Sequence, residues 1–161
     1  MNWQSLFLSP DGRIKRQDFW IGWAIMFAAN LVLGFVPIIG LLFHCFAIYV
    51  MVCLYAKRLH DMGRSGWLQL APWGVGILAL IIGFALFGTA MISAALALGN
   101  ASPGAGGLAV LLGSLGGFMM VLSLAGLVHL AFFIWVGATP GQVGENAYGP
   151  DPLSANTADV F

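Results

Sequence analysis

Apolar residues run along this chain in long unbroken stretches rather than in alternation with polar residues. No Lys, Arg, Asp or Glu occurs between Phe19 and Ala56, and none occurs between Ser65 and Gly144. A helix needs roughly 20 apolar residues to cross the hydrocarbon core of a bilayer. Because the period-2 alternation of a transmembrane β-barrel is absent, the pattern predicts an all-α integral membrane protein.

Breaks in the apolar pattern divide the two stretches into four predicted transmembrane helices. One helix over 19–56 would be about 57 Å long, far more than a hydrocarbon core of about 30 Å, so Pro37 and Gly40 predict a tight hairpin. The Gly-rich segment 99–107 predicts a loop in the second stretch. The four helices are therefore expected at about 19–36, 41–56, 68–98 and 108–136, as two helical hairpins.

Polar segments flank these helices within a single predicted membrane domain, residues 1–161. Residues 1–18 are expected at the cytoplasmic or interfacial level, and their apolar positions predict a short helix on the membrane surface. Residues 137–161 form a polar tail. Lys and Arg favour the cytoplasmic side of a membrane, and an even number of spans keeps all charged segments on one side. Both termini are therefore predicted to be cytoplasmic.

The segment "AKRLHDMGRSGW", residues 56–67, concentrates charge that is scarce elsewhere. Gly63 suits the left-handed position that closes a helix, Ser65 suits the N-cap of the next helix, and Trp67 suits the membrane interface. A chemical alternative is that His60 acts as a base oriented by a carboxylate. Adjacent residues on a helix point about 100° apart, so His60 and Asp61 do not form a dyad by themselves.

Composition narrows the functional classes. Six basic and six acidic residues give a formal net charge of zero, and without a basic stripe no nucleic-acid partner is expected. The sequence has no nucleophile elbow, no HExxH motif and no Cys/His cluster at metal spacing. We therefore predict no catalytic residue, no metal site and no cofactor.

Three polar segments together resemble the signature of a bacterial family. They are "GRIKRQDFW" at 12–20, "KRLHDMGRSGW" at 57–67 and "GENAYGPDP" at 144–152. In this order, each beside an apolar stretch, they resemble the YhaH-like small inner-membrane proteins, domain of unknown function family 805. The resemblance covers nearly the whole chain. It implies a bacterial cytoplasmic-membrane location, and it implies no particular reaction.

The predicted threading places the three segments on one membrane face, where we expect the tail to fold back over the Arg58–Gly66 turn. A buried salt-bridge network there would act as a structural clamp, whereas an open one with surplus arginine would bind an anion or a lipid headgroup. The clamp is favoured because paired charges are the usual solution where water is scarce. The candidate residues of this cytoplasmic-face cluster are Arg13, Arg16, Arg58, His60, Asp61, Arg64, Ser65, Trp67, Asn146 and Tyr148.

Three functional hypotheses follow. The leading one is a non-enzymatic scaffold or accessory protein that binds a partner or anionic lipid headgroup through the charged face. The second is a transporter or channel component, which a polar path joining Asn30 and His129 would favour. The third is a membrane enzyme acting on lipid headgroups. Small residues at four-residue steps, such as Gly113 and Gly117, fit packing inside the bundle, with a homo-oligomer or another membrane protein as the alternative partner.

Overall fold

A computed structural model describes residues 3–100 and 105–154, and within them the regular secondary structure is helical. Five α-helices follow one another along the chain, with one short 3₁₀ helix between the third and the fourth. Their bounds are α1 Trp3–Leu8, α2 Arg16–Leu33, α3 Pro37–Asp61, the 3₁₀ helix Gly66–Gln69, α4 Leu70–Asn100 and α5 Ala105–Ala138. The all-α prediction is confirmed for this part of the chain.

The first hairpin turns earlier than the sequence analysis expected. Helix α3 begins at Pro37, with the backbone of Val36 extended before it. Proline fits the first position of a helix because its missing N–H would have no partner there. Gly40 lies inside α3 and donates its N–H to the carbonyl of Val36. The predicted start of this helix at residue 41 was therefore wrong, since Pro37 starts the helix instead of interrupting it.

The connection between α3 and α4 has fewer residues than the predicted helix bounds of 41–56 and 68–98 imply, because α3 continues to Asp61 and α4 begins at Leu70. Gly63 adopts φ +69° and closes α3 in the left-handed conformation, as predicted. The hydroxyl of Ser65 accepts the N–H of Trp67 at 3.4 Å, at the start of the 3₁₀ helix rather than of an α-helix. Helix α4 continues from Leu70 to Asn100. The remaining residues of the predicted Gly-rich loop, 101–104, lie outside the described residues.

The chain folds into two compact units. The first unit joins the chain up to Gln69 with the segment from Phe133 onward. Its core is built where α2 and α3 pack together, and it is formed by side chains that are fully buried: Phe19, Val50, Cys53, Leu54, Leu59 and Val136. The ring of Phe19 also contacts Tyr55 edge-on and Phe133 at a tilt. Polar groups near this core are thus held at fixed positions.

Helix α1 lies against α3 in the same unit. Leu6 is buried, Lys57 donates to the carbonyl of Ser5, and the hydroxyl of Tyr49 donates to the carbonyl of Leu8 at 2.7 Å. The short N-terminal helix predicted from the sequence is therefore present. It is tied to α3 at two points.

The second unit, Leu70–Phe132, consists of α4 and the first part of α5. Phe118 packs against Gly83 and contacts Phe84 at 5.3 Å between ring centroids. Nearer the other end, His129 packs edge-on against Trp73. Since residues early in α4 meet residues late in α5, the two helices form an antiparallel hairpin.

Among the described residues, three helices are long and apolar enough to cross a membrane: Pro37–Asp61, Gly66–Leu96 and Leu108–Ala138. Most of their apolar surface is exposed, as for Ile81 at 62% and Leu112 at 61%. Apolar surface of that extent requires a lipid or protein environment. Helix α2 is 18 residues long and carries Arg16 and Asp18 in its first turn, which lowers its hydropathy.

Candidate functional site

The carboxylate of Asp61, in the last turn of α3, lies between two arginines. Its Oδ1 is 3.1 Å from Nη2 of Arg13, and its Oδ2 accepts from Nη1 of Arg58. The exposed fractions of the three side chains are 1% for Arg13, 0% for Arg58 and 5% for Asp61. Charges that lack water must be neutralised by partners. We call this trio, Arg13, Arg58 and Asp61, the ion triad.

Arg58 also fastens the end of α5. Its Nε donates to the carbonyl of Val136 at 3.1 Å, and its Nη2 donates to the carbonyl of Thr139. These carbonyls belong to the last turn of α5 and the residues just after it, where a helix leaves acceptors unpaired and where the dipole favours a cation. One guanidinium thus joins the C-terminal ends of α3 and α5.

Arg13 fastens the tail in the same way. Its Nη1 donates to the carbonyls of Gly144 at 2.6 Å and Gly149 at 3.2 Å, and its Nη2 donates to the carbonyl of Gln142. The planar fork of a guanidinium can reach several acceptors that a lysine ammonium reaches less well. The loop before α2 is thereby connected to the segment after α5.

Backbone and amide hydrogen bonds close the tail over the end of α3. The N–H of Gln142 donates to the carbonyl of Asp61 at 2.7 Å. The amide of Asn146 donates to the carbonyl of His60 at 2.9 Å and to the side chain of Gln142 at 3.2 Å. Asn146 and Gly149 exchange two backbone hydrogen bonds at 3.1 Å. The tail therefore folds back onto the turn that contains His60 and Asp61.

His60 and Asp61 face different partners. The ring of His60 stacks on that of Tyr148, with centroids 3.9 Å apart and planes at 4°. Its Nδ1 lies 3.2 Å from the carbonyl of Gly12. Because a carbonyl only accepts, Nδ1 must carry the proton in this hydrogen bond, and Nε2 of the neutral ring is then an acceptor. This arrangement is not that of a base oriented by Asp61.

The remaining candidate residues lie at the edge of the ion triad or away from it. Arg16 donates to the carbonyl of Ala138 at 3.2 Å, and the guanidinium of Arg64 lies 5.2 Å from the ring centroid of Trp135. Trp67 is 80% exposed. Six of the ten candidates therefore come together, namely Arg13, Arg58, His60, Asp61, Asn146 and Tyr148.

Sequence reasoning did not name several groups that complete the site. Gln142 contributes its N–H, its carbonyl and its side-chain oxygen. Asp151 accepts the N–H groups of Leu153 and Gly144, both at 2.9 Å, and these hydrogen bonds hold the pKa of this carboxyl below its usual range. Pro140 and Gly141 just before Gln142 are typical of a helix end, but nothing in the sequence specifies which backbone groups Gln142 contacts.

A cleft of about 470 Å³ opens beside the ion triad. It is lined by the start of α2, including Lys15 and Arg16, and by tail residues that include Gln142 and Asp151. The side-chain ammonium of Lys15 makes no hydrogen bond or ion pair to a described residue, and the guanidinium of Arg16 donates to the carbonyl of Ala138. Two cationic side chains thus border a space that is large enough for a headgroup.

Polar residues inside the apolar helices form local contacts. The amide nitrogen of Asn30 lies 3.3 Å from Nε2 of His44, whose Nδ1 lies 2.5 Å from the carbonyl of Gly40. Nδ1 of His129 lies 2.9 Å from the carbonyl of Ala125, one turn earlier in α5. Each contact lies within one hairpin or one helix turn, so none of them favours a transport path over helix stabilisation.

The length and hydropathy of these helices, together with a polar site at the helix ends, are those of an all-helical membrane protein. The chain belongs to the family described as "Protein of unknown function (DUF805)", whose sequence model matches residues 7–150. The family expectation from the three polar segments is confirmed.

The matched range contains the ion triad and the tail residues that cover it. The chain is 34% identical over 163 residues to the "Uncharacterized protein YiiR" of Escherichia coli (strain K12) and, equally, of Escherichia coli O157:H7. These alignments cover 94% of this chain and 90% of each relative. No solved structure matches the chain.

Proposed function

We propose that this protein is a four-span bacterial inner-membrane protein with both termini in the cytoplasm. In this proposal its non-enzymatic role is that of an accessory protein. The ion triad is a structural clamp that holds a folded cytoplasmic face, and that face binds anionic lipid headgroups beside Lys15 and Arg16. The observation that carries the proposal is the full internal pairing of Asp61 with Arg13 and Arg58.

Contacts within the first unit support the threading. Arg13 precedes α2, Asp61 ends α3 and Gln142 follows α5, and hydrogen bonds join all three. These contacts support a threading in which the three chain positions share one side of the membrane, and their Lys and Arg content favours the cytoplasm as that side. The apolar part of α2, about 22 Å long from Phe19 to Leu33, can span if the bilayer thins or the turn lies in the interface.

Reporter fusions test this threading. Alkaline phosphatase or green fluorescent protein is fused after Leu153 and, in a second series, before the first residue. We expect fluorescence and no phosphatase activity at both ends, because four spans return the chain to the cytoplasm. A fusion in the turn between α2 and α3, at Gly34, is the positive control for the periplasm. Phosphatase activity at one end alone would contradict the proposal.

Pairing within the ion triad is the reason to place lipid binding at its edge. The guanidinium groups of Arg13 and Arg58 donate to five backbone carbonyls as well as to Asp61. An anion at that point would have to displace these acceptors. Lys15 and Arg16, by contrast, line the open cleft at the N-terminal end of α2, where the helix dipole adds a favourable potential for an anion.

Lipid titration of the purified protein tests the binding site. Replacing Lys15 and Arg16 together with Gln is expected to weaken phosphatidylglycerol binding about three- to ten-fold, because two phosphate contacts near the membrane surface are lost. Native mass spectrometry measures the bound lipid, and binding should also fall with added salt. Glu145→Gln, at an exposed residue that does not line the cleft, serves as control. Equal phosphatidylglycerol binding by the double variant and the wild type would refute this site.

A further inference from the structure

A second cavity, of about 440 Å³, lies in the first unit and is lined in part by His60. Its polar end is formed by Asp11, His60 and Ser65, and its apolar end by Val52 and Ala56 of α3. His60 and Val52 are separated by about 12 Å along the helix axis. In the proposed threading this axis runs from the headgroup level into the hydrocarbon, so the cavity has the polarity of a lipid.

The polar end offers acceptors and negative charge. Asp11 is the one side chain with a formal charge among the described residues that line the cavity, and its carboxylate forms no hydrogen bond or ion pair to a described residue. Nε2 of His60 is an acceptor when Nδ1 donates to Gly12. This Nε2 atom lies 3.2 Å from the position that a Cβ added to Gly66 would occupy, and Gly66 also lines the cavity. Asp11 and His60 are therefore suited to a ligand that brings N–H donors and a positive charge, while Ser65 and Gln69 in the same lining can both donate and accept.

Two aromatic side chains also line the cavity and favour a cation. The indole of Trp67 is 80% exposed, and Tyr148 lies against His60 on the side of the tail. A cation over an aromatic face is attracted by the negative charge on the face of the ring. No cationic side chain lines this cavity among the described residues, so a headgroup that carries only negative charge has no charged partner there.

We propose that this cavity binds the primary ammonium of a phosphatidylethanolamine headgroup, with Asp11 and His60 as acceptors and Trp67 beside the cation. The glycerol and upper acyl region then lie along Val52 and Ala56. The inference rests on the proposed threading, but it is independent of the anion site at Lys15 and Arg16. It adds a second, zwitterionic lipid to the protein's ligands.

A comparison of two lipids that differ only in headgroup methylation tests this proposal. Phosphatidylethanolamine and phosphatidylcholine with identical acyl chains are titrated into the protein in detergent, and native mass spectrometry measures each dissociation constant. Phosphatidylethanolamine is expected to bind about three- to ten-fold more tightly, because phosphatidylcholine keeps the charge but has no N–H to donate. Equal binding of both lipids would overturn the proposal.

Variants then locate the site. Asp11→Asn is expected to weaken phosphatidylethanolamine binding about three- to ten-fold, while the exposed control Glu145→Gln changes it less than two-fold. Neither variant removes a contact that holds the described fold. An unchanged affinity for Asp11→Asn would overturn the proposal, and so would equally tight binding of soluble phosphoethanolamine, because the lipid chains would then contribute nothing.

The two lipid proposals fail in different ways. Loss of phosphatidylglycerol binding in the Lys15 and Arg16 variant tests the first cleft, and the headgroup comparison tests only the cavity at Asp11. A protein with its N-terminus in the periplasm would contradict the threading without changing either lipid titration in detergent.

Discussion

Replacing Asp61 with alanine should lower the free energy of unfolding by about 3–5 kcal/mol, the cost of removing one partner from a buried ion pair. The change leaves the guanidinium groups of Arg13 and Arg58 close together, at 1% and 0% exposure, without an anion between them. Their repulsion adds to the loss of attraction. Thermal unfolding of the purified protein in detergent, followed by circular dichroism, measures the change.

Two controls separate the clamp from a general effect of charge. Glu145→Gln removes an exposed carboxylate near the same tail and should leave the melting temperature within about 1 °C, because surface charges contribute little. Asp61→Asn keeps one acceptor oxygen and should destabilise the protein less than Asp61→Ala. If Asp61→Ala melted like the wild type but no longer bound anionic lipid, the ion triad would be a binding site and not a clamp.

The residues of the ion triad could be found from the sequence because charge is so rare in this chain. When 7% of residues are charged and two long runs contain none, the charged segments must lie outside the hydrocarbon. Two predicted spans separate Arg13 from Asp61, which predicts that the two residues lie on one side. Their ion pair is consistent with that prediction and with the scarcity of alternative partners.

The acceptors of the two arginines could not be found in the same way. Val136, Thr139 and Gly144 contribute carbonyl oxygens, which every residue has, so side-chain chemistry gives no sign of them. Arg64 shows what closeness in sequence leaves open. The sequence analysis includes Arg64 in the cluster as a candidate, and its guanidinium lies over the ring of Trp135, just after the left-handed turn at Gly63.

Helix ends were harder to predict than helix existence. The sequence analysis treats both Pro37 and Gly40 as interruptions of a helix, although a proline at the first position of a helix stabilises that helix. Residue type alone does not distinguish a helix start from a helix interruption, and Pro37 is compatible with either until the extended backbone of Val36 is seen.

Replacing Gly141 with alanine should disrupt the same clamp without any change of charge. A Cβ at this position would lie 2.1 Å from Oδ2 of Asp61 and 2.7 Å from its Cγ. Real side chains do not approach so closely, and Asp61 cannot move aside without lengthening its ion pairs to Arg13 and Arg58. We expect a loss of about 1–3 kcal/mol in unfolding free energy, typical of overpacking at a tight contact.

The matched control is Gly126→Ala in α5, where an added Cβ meets no atom within 4 Å and the helix gains a residue of higher propensity. This variant should melt at or slightly above the wild-type temperature. Limited proteolysis after α5 gives a second readout, since Gly141→Ala should expose the segment around Gln142 to cleavage while Gly126→Ala leaves it protected. Equal protection and equal melting temperatures for the two variants would mean that the tail does not depend on close contact with Asp61. The loss of unfolding free energy in Asp61→Ala would then come from the unpaired charges of Arg13 and Arg58 alone. Gly141→Ala makes this distinction possible because it changes the packing against Asp61 without changing any charge.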